Sequence, residues 1–122
     1  MGLDMYLTKH SAGSKSTEVG YWRKSNHIHK WFVDNCQDGV DECQEAVVYQ
    51  GDIETLLAVC IDVFINRDDV EEKLPTEDGF FFGATEYDEE YFSDVKDTID
   101  ILNKVLATTD FENEMIIYRS SW

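Results

Sequence analysis

Five residues in the first third of the chain carry the side chains best suited to recognition chemistry: Trp22, Arg23, Asn26, His29 and Lys30. Trp22 offers a flat ring surface, and Asn26 offers both a donor and an acceptor. Arg23 can grip a phosphate or carboxylate bidentately, and Lys30 adds a second positive charge. Residues three or four apart on a helix share a face, so a helical reading puts Trp22, Asn26 and His29 on one stripe, flanked by Arg23 and Lys30. These five are the expected ligand-binding residues, and an anionic, nucleotide-like molecule is the expected ligand. The plain alternative is an amphipathic helix whose polar edge only stabilises the fold. His29 is also the natural acid–base of a small enzyme acting on such a ligand, with Asp34 or Asp38 to orient it. No catalytic residue is assigned, because the chain lacks the G-x-S-x-G signature and no nucleophile set can be assembled around His29.

Metal and cofactor motifs are absent by spacing. His27, His29, Cys36 and Cys43 form H-x-H and C-x6-C, which do not match structural zinc sites. Asp34, Asp38, Gly39 and Glu45 fall on positions one, five, six and twelve of a calcium-loop template. Cys36 stands at position three and Asp41 at position eight, which favours an acidic, hairpin-like connection instead. There is no G-x-x-x-x-G-K and no G-x-G-x-x-G. No metal and no cofactor is expected.

The second candidate surface is acidic. Asp94, Asp97 and Asp100 recur at three-residue steps along one edge of a helix and are the expected partner-binding residues. They belong to a chain with 26 acidic and 10 basic residues and a formal net charge of −16. Such a surface repels nucleic acid and anionic membranes directly. It suits a basic protein surface, or acts as a nucleic-acid mimic with carboxylates spaced like phosphates. The plain alternative is a solvated, solubilising face.

The elements that must position these residues follow from periodicity. Leu3, Met5 and Leu7 alternate with Asp4, Tyr6 and Thr8 and predict a strand. His10 to Thr17 is rich in Ser, Gly and Lys and predicts a loop. Trp22, Ser25, Ile28 and Phe32 recur at helical spacing and predict a helix over Val19–Cys36. Ala46–Tyr49 predicts a strand, and Asp52–Ile65 a helix whose apolar face is Ile53, Leu56, Leu57, Cys60, Ile61 and Phe64. Phe80–Phe82 predicts a third strand or a buried loop, with a base-stacking role open to one of its rings. Asp88 caps a last helix with Phe92, Val95, Ile99, Leu102 and Leu106 as its stripe, and Met115–Arg119 closes the chain as a strand. The predicted order, β-α-β-α-(β)-α-β, implies one α+β domain over residues 1–122. In it a small, mostly antiparallel sheet carries about three helices on one face.

Three blocks resemble a family of small phage and prophage proteins: Met1-Gly2-Leu3-Asp4-Met5-Tyr6-Leu7; Glu18-Val19-Gly20-Tyr21-Trp22-Arg23-Lys24 with Asn26, Ile28-His29, Trp31-Phe32-Val33 and Gln37-Asp38-Gly39; and Gly79-Phe80-Phe81-Phe82-Gly83 with Tyr87-Asp88. The resemblance brings no activity with it. It implies a mobile-element setting in a bacterial host, and hence an accessory binding protein that inhibits or sequesters a host factor. Cys36, Cys43 and Cys60 make an odd thiol count without a recognisable signal peptide, so free thiols and the host cell cytoplasm are expected. No apolar run is long enough to cross a bilayer. The expected partners are therefore a host protein or a nucleotide-like small molecule, with room for a homo-oligomer.

Overall fold

The alternation of Leu3, Met5 and Leu7 with polar neighbours becomes the central strand β1 (Asp4–Ser11). The computed structural model describes residues 2–78 and 83–122. After β1 come β2 (Thr17–Arg23), α1 (Asn26–Cys36), β3 (Ala46–Val48), α2 (Gln50–Ile65), the single turn α3 (Val70–Lys73), α4 (Glu89–Thr108) and β4 (Glu114–Ser121). The strands form one sheet in the order β2-β1-β4-β3, antiparallel throughout. The α+β expectation of a small antiparallel sheet with three longer helices holds. The Phe80–Phe82 strand lies outside the described residues.

Residues paired across antiparallel strands point to the same side of the sheet. Met5 pairs with Trp22 and Ser120, Leu7 with Gly20 and Tyr118, and Val48 with Ile116, and all of them are buried. Their apolar members join Ile28 and Phe32 of α1, Leu56 and Cys60 of α2, and Val95 and Leu102 of α4 in one cluster. The helices therefore cover one face of the sheet. The opposite face remains half-buried or exposed along Tyr6, Tyr21, Ile117 and Arg119.

The helix expected over Val19–Cys36 is corrected: Thr17–Arg23 is a strand, and the helix begins only at Asn26. The helical spacing of Trp22, Ser25, Ile28 and Phe32 is a coincidence of burial, since all four face the same core from a strand, a junction and a helix. Val19, Tyr21 and Trp22 are strand-favouring types, and β1 satisfies their backbone groups. Lys24 turns the chain between the two elements with φ 56°, and its N–H bonds Leu3 O at 2.7 Å. Gly20 permits close packing, because a Cβ there would lie 2.9 Å from the Ile101 side chain, which would have to shift. β1 also runs on through His10 and Ser11, which the composition assigned to a loop. There they pair with Met115 and Glu114.

α2 begins where Asp52 Oδ2 accepts from Tyr49 N at 3.0 Å, and α4 begins, as expected, at Asp88, whose Oδ1 accepts from Tyr91 N at 3.1 Å. The apolar face of α2 is narrower than the sequence suggests. Ile53, Leu56, Cys60 and Val63 are buried, Leu57 and Phe64 only partly, and Ile61 is 39% exposed. At about 100° per residue Ile61 falls roughly a third of a turn from the centre of the buried stripe. Leu56→Ala is thus expected to destabilise the protein by about 2–5 kcal/mol. Ile61→Ala should stay within about half a kcal/mol. Chemical denaturation of the two variants checks this, and equal effects would contradict the assigned face.

Candidate functional site

The five residues expected to form one recognition stripe are distributed over two elements. Trp22 on β2 is buried, and its Nε1–H donates to Thr98 Oγ1 of α4 at 2.8 Å. Thr98 in turn donates to Asp94 O at 2.7 Å. Trp22 therefore ties β2 to α4 and presents no open ring. Arg23 follows Trp22 and is exposed, paired in register with Asp4 on the uncovered side of the sheet. Lys30 of α1 donates to Asp34 Oδ2 one turn on, at 2.8 Å.

Asn26 and His29 do lie together on α1, and both are buried. Asn26 Oδ1 accepts from Glu77 N at 2.9 Å, and its Nδ2 donates to Ala84 O at 2.8 Å. One carboxamide thereby clasps the two stretches that flank residues 79–82. His29 is fully buried. Its Nε2 lies 2.8 Å from Asp41 Oδ2 and its Nδ1 2.6 Å from the Tyr118 hydroxyl. A carboxylate only accepts, so Nε2 carries a proton, and in the neutral ring Nδ1 accepts from Tyr118. Burial raises the Tyr118 phenol well above its usual range, so it stays protonated and able to donate. The other Asp41 oxygen accepts from Trp122 Nε1 at 3.1 Å.

Glu77 completes the group. One donor atom each from His29, Asp41 and Glu77 lie within 4.8 Å of one another. Glu77 Oε2 is buried without a hydrogen-bond partner. Its carboxyl is raised above the usual carboxylate value, chiefly by burial and then by Asp41 and Asp34, against the opposing pull of His29 and Lys30. Sequence reasoning placed His29 here but looked for its carboxylate at Asp34 or Asp38. The structure uses Asp41, from the irregular segment that follows α1. Asp41 was visible only as the misfit in a calcium loop, and Glu77 and Tyr118 carried no local signal at all.

The remaining polar candidates separate from this centre. His27 stacks on Tyr91 with ring centroids 4.0 Å apart, and burial lowers it to about 3, so it is neutral. Cys36, Cys43 and Cys60 are unpaired. Burial pushes the Cys36 and Cys60 thiols up to about 12, so neither is a ready thiolate. The expected row of Asp94, Asp97 and Asp100 is three different environments. Asp94 is half-buried beside Ser25, Asp97 is exposed, and Asp100 pairs with Lys96 at 2.8 Å.

Comparison with protein-family models, curated proteins and solved structures returned no match.

Two outcomes follow from this geometry. Asn26→Ala leaves Glu77 N and Ala84 O without their partner and is expected to cost about 1–3 kcal/mol. Faster hydrogen exchange around residues 77 and 84 should accompany that loss. Asp94 is raised from 3.8 to about 6 by burial, against the bond from Ser25. Between those two pH values the folded protein binds more protons at this site than the unfolded chain, so its stability falls as pH rises through that window. Asp94→Asn should therefore stabilise the protein at pH 7, by on the order of 1–2 kcal/mol after solvent screening. The gain should vanish toward about pH 4. Melting curves across that range would show it, and a pH-independent difference would refute the assignment.

Proposed function

We propose that the chain is a binding protein whose centre is His29, Asp41 and Glu77, and that this centre takes a divalent cation of the zinc or manganese type. The observation that carries the reading is Glu77 Oε2, a buried carboxylate oxygen without a protein partner, in a group that also holds a buried imidazole and a second carboxylate. One nitrogen and two carboxylates form a donor set that first-row divalent ions accept. Two ionised carboxylates offset a 2+ charge, which answers the cost of burying them beside each other.

Donors sharing one ion at about 2.0–2.2 Å sit roughly 3–4 Å apart. His29 Nε2 and Asp41 Oδ2 would therefore open slightly from 2.8 Å. The ring would shift to its Nδ1–H tautomer, which frees the Nε2 lone pair for the ion, and Nδ1 would then donate to the Tyr118 oxygen. Tyr118 and Trp122 act as the outer partners that hold the imidazole and the Asp41 carboxylate in orientation, the arrangement that metal-ligating His and Asp side chains require.

In the mobile-element setting that the sequence resemblance implies, this reading makes the protein an accessory binder, with a phosphate-bearing or other anionic ligand held through the cation. The cation takes the role first given to Arg23 and Lys30, since Arg23 sits on the other side of the sheet and Lys30 is engaged by Asp34. Capture of a basic host surface by Asp94, Asp97 and Asp100 has less support, because the three do not form an even row. An enzymatic role for His29 also has less support, because the ring is fully buried with both nitrogens engaged.

Titration calorimetry of the chelator-treated protein with Mn²⁺ tests the centre, and manganese avoids the thiol binding that zinc invites. One ion per chain is expected, with a rise in melting temperature on saturation. Glu77→Gln should weaken binding at least tenfold, or about 1.4 kcal/mol, while leaving the metal-free melting temperature nearly unchanged. Absence of binding, or equal binding by Glu77→Gln, would reduce the cluster to a polar staple between loops and sheet.

A further inference from the structure

The uncovered face of the sheet has a composition unlike the rest of the surface. Strand register places Tyr21, Tyr6 and Arg119 in one cross-strand row, and Thr8, Ile117 and Val47 in the next. The first row is in contact: the Tyr6 and Tyr21 rings are tilted at 49° with centroids 5.4 Å apart, and the Arg119 guanidinium lies 4.4 Å from the Tyr6 ring centre. His10 and Met115 form a third row, and Tyr21 and Met115 are 45% and 48% exposed. Tyr, Met and Arg are the types enriched at protein interfaces, and Lys is depleted there. The paired positions on this face include no lysine.

The charge distribution identifies the occupant. The same face carries Arg23 and Arg119 against Asp4 and Glu18, so it is electrically balanced. The chain as a whole has a formal charge of −16, and that excess lies outside these paired positions. A basic partner would be drawn to the acidic remainder, and a polyanion would be repelled by it. A second copy of this chain meets little local repulsion on this balanced, aromatic face, and the long-range repulsion that remains is screened by salt.

We infer that two copies associate sheet to sheet through Tyr6, Tyr21, Met115, Ile117 and Arg119 about a two-fold axis. Antiparallel sheets pack face to face about 10 Å apart with strands offset by about 30°. In an isologous contact each residue serves both copies. The arginines of one copy thus meet Asp4 and Glu18 of the other while the tyrosines and Met115 are buried. The cation centre lies on the helix-covered side, away from such an interface, so the two proposals stand or fall separately.

The sign of the salt dependence is diagnostic. Long-range repulsion between two copies of charge −16 opposes association and is screened by salt. Dimerisation should therefore strengthen as salt rises, whereas a complex between this acidic protein and a basic partner weakens. Sedimentation equilibrium of the full chain over a range of concentrations, at low and at high sodium chloride, is the test. A monomer–dimer equilibrium shifted toward dimer at high salt is expected. Tyr21→Glu and Met115→Glu, both at exposed positions, should each weaken it at least tenfold, and Met115→Glu should do so with little change in melting temperature. A monomer under all conditions would overturn the inference, as would a dimer indifferent to both substitutions. So would binding of a single-stranded oligonucleotide that Tyr21→Glu abolishes, because that would assign the aromatic row to base stacking.

Discussion

The pairing of β1 with β4 is the constraint on which the rest of the structure depends. The first and last strands run antiparallel over eight residues, from Asp4 opposite Ser121 to Ser11 opposite Glu114, and together they form the centre of the sheet. β2 and β3 can only add at the two edges. The pairing also fixes which side chains share a face: Leu7 with Tyr118 toward the helices, and Tyr6 with Arg119 toward the open side. A register slip of one residue would exchange the two sets. It would carry Tyr118 away from His29 and put Arg119 into the core.

The candidate centre is a consequence of that register. Tyr118 is stacked on Phe32 of α1, with ring centroids 4.1 Å apart, and its hydroxyl reaches His29 three residues earlier on the same helix. His29 then holds Asp41, and Asp41 holds Trp122 beyond the end of β4. Asn26, one turn before His29, fixes the backbone of Glu77. Two irregular segments, around Asp41 and around Glu77, thus converge on one face of α1. Carboxylates brought together in this way are mutually unfavourable, and burial compounds the effect at Glu77. That mutual repulsion is the physical basis of the proposed cation site.

Charge is divided across the sheet. The helical side and the loops carry the acidic excess, which is spent on ion pairs such as Lys73–Asp62 and Lys96–Asp100 and otherwise on solvation. The outer side keeps two of the chain's three arginines and a row of tyrosines. On that outer side the charge opposing a second copy is the long-range field of the molecule and not a local cluster of carboxylates.

Composition and short-range pattern determined much of this by themselves. The period of two in Leu3–Leu7, the apolar stripe of Phe92, Val95 and Leu102, and the Asp88 cap are local properties of side chains along a strand or helix, and each was legible directly. So was the α+β class. The boundary at Lys24 was not, because the core collects Trp22, Ser25, Ile28 and Phe32 at a spacing that imitates a helix. Only the tertiary structure could decide that Trp22 bonds Thr98 instead of a ligand, and that Arg23 faces away from His29. It also brought Asp41 and Glu77 to His29 across 12 and 48 residues of chain. Such partners are chosen by strand register and loop closure. Those depend on the whole core at once, and no window of the sequence contains them.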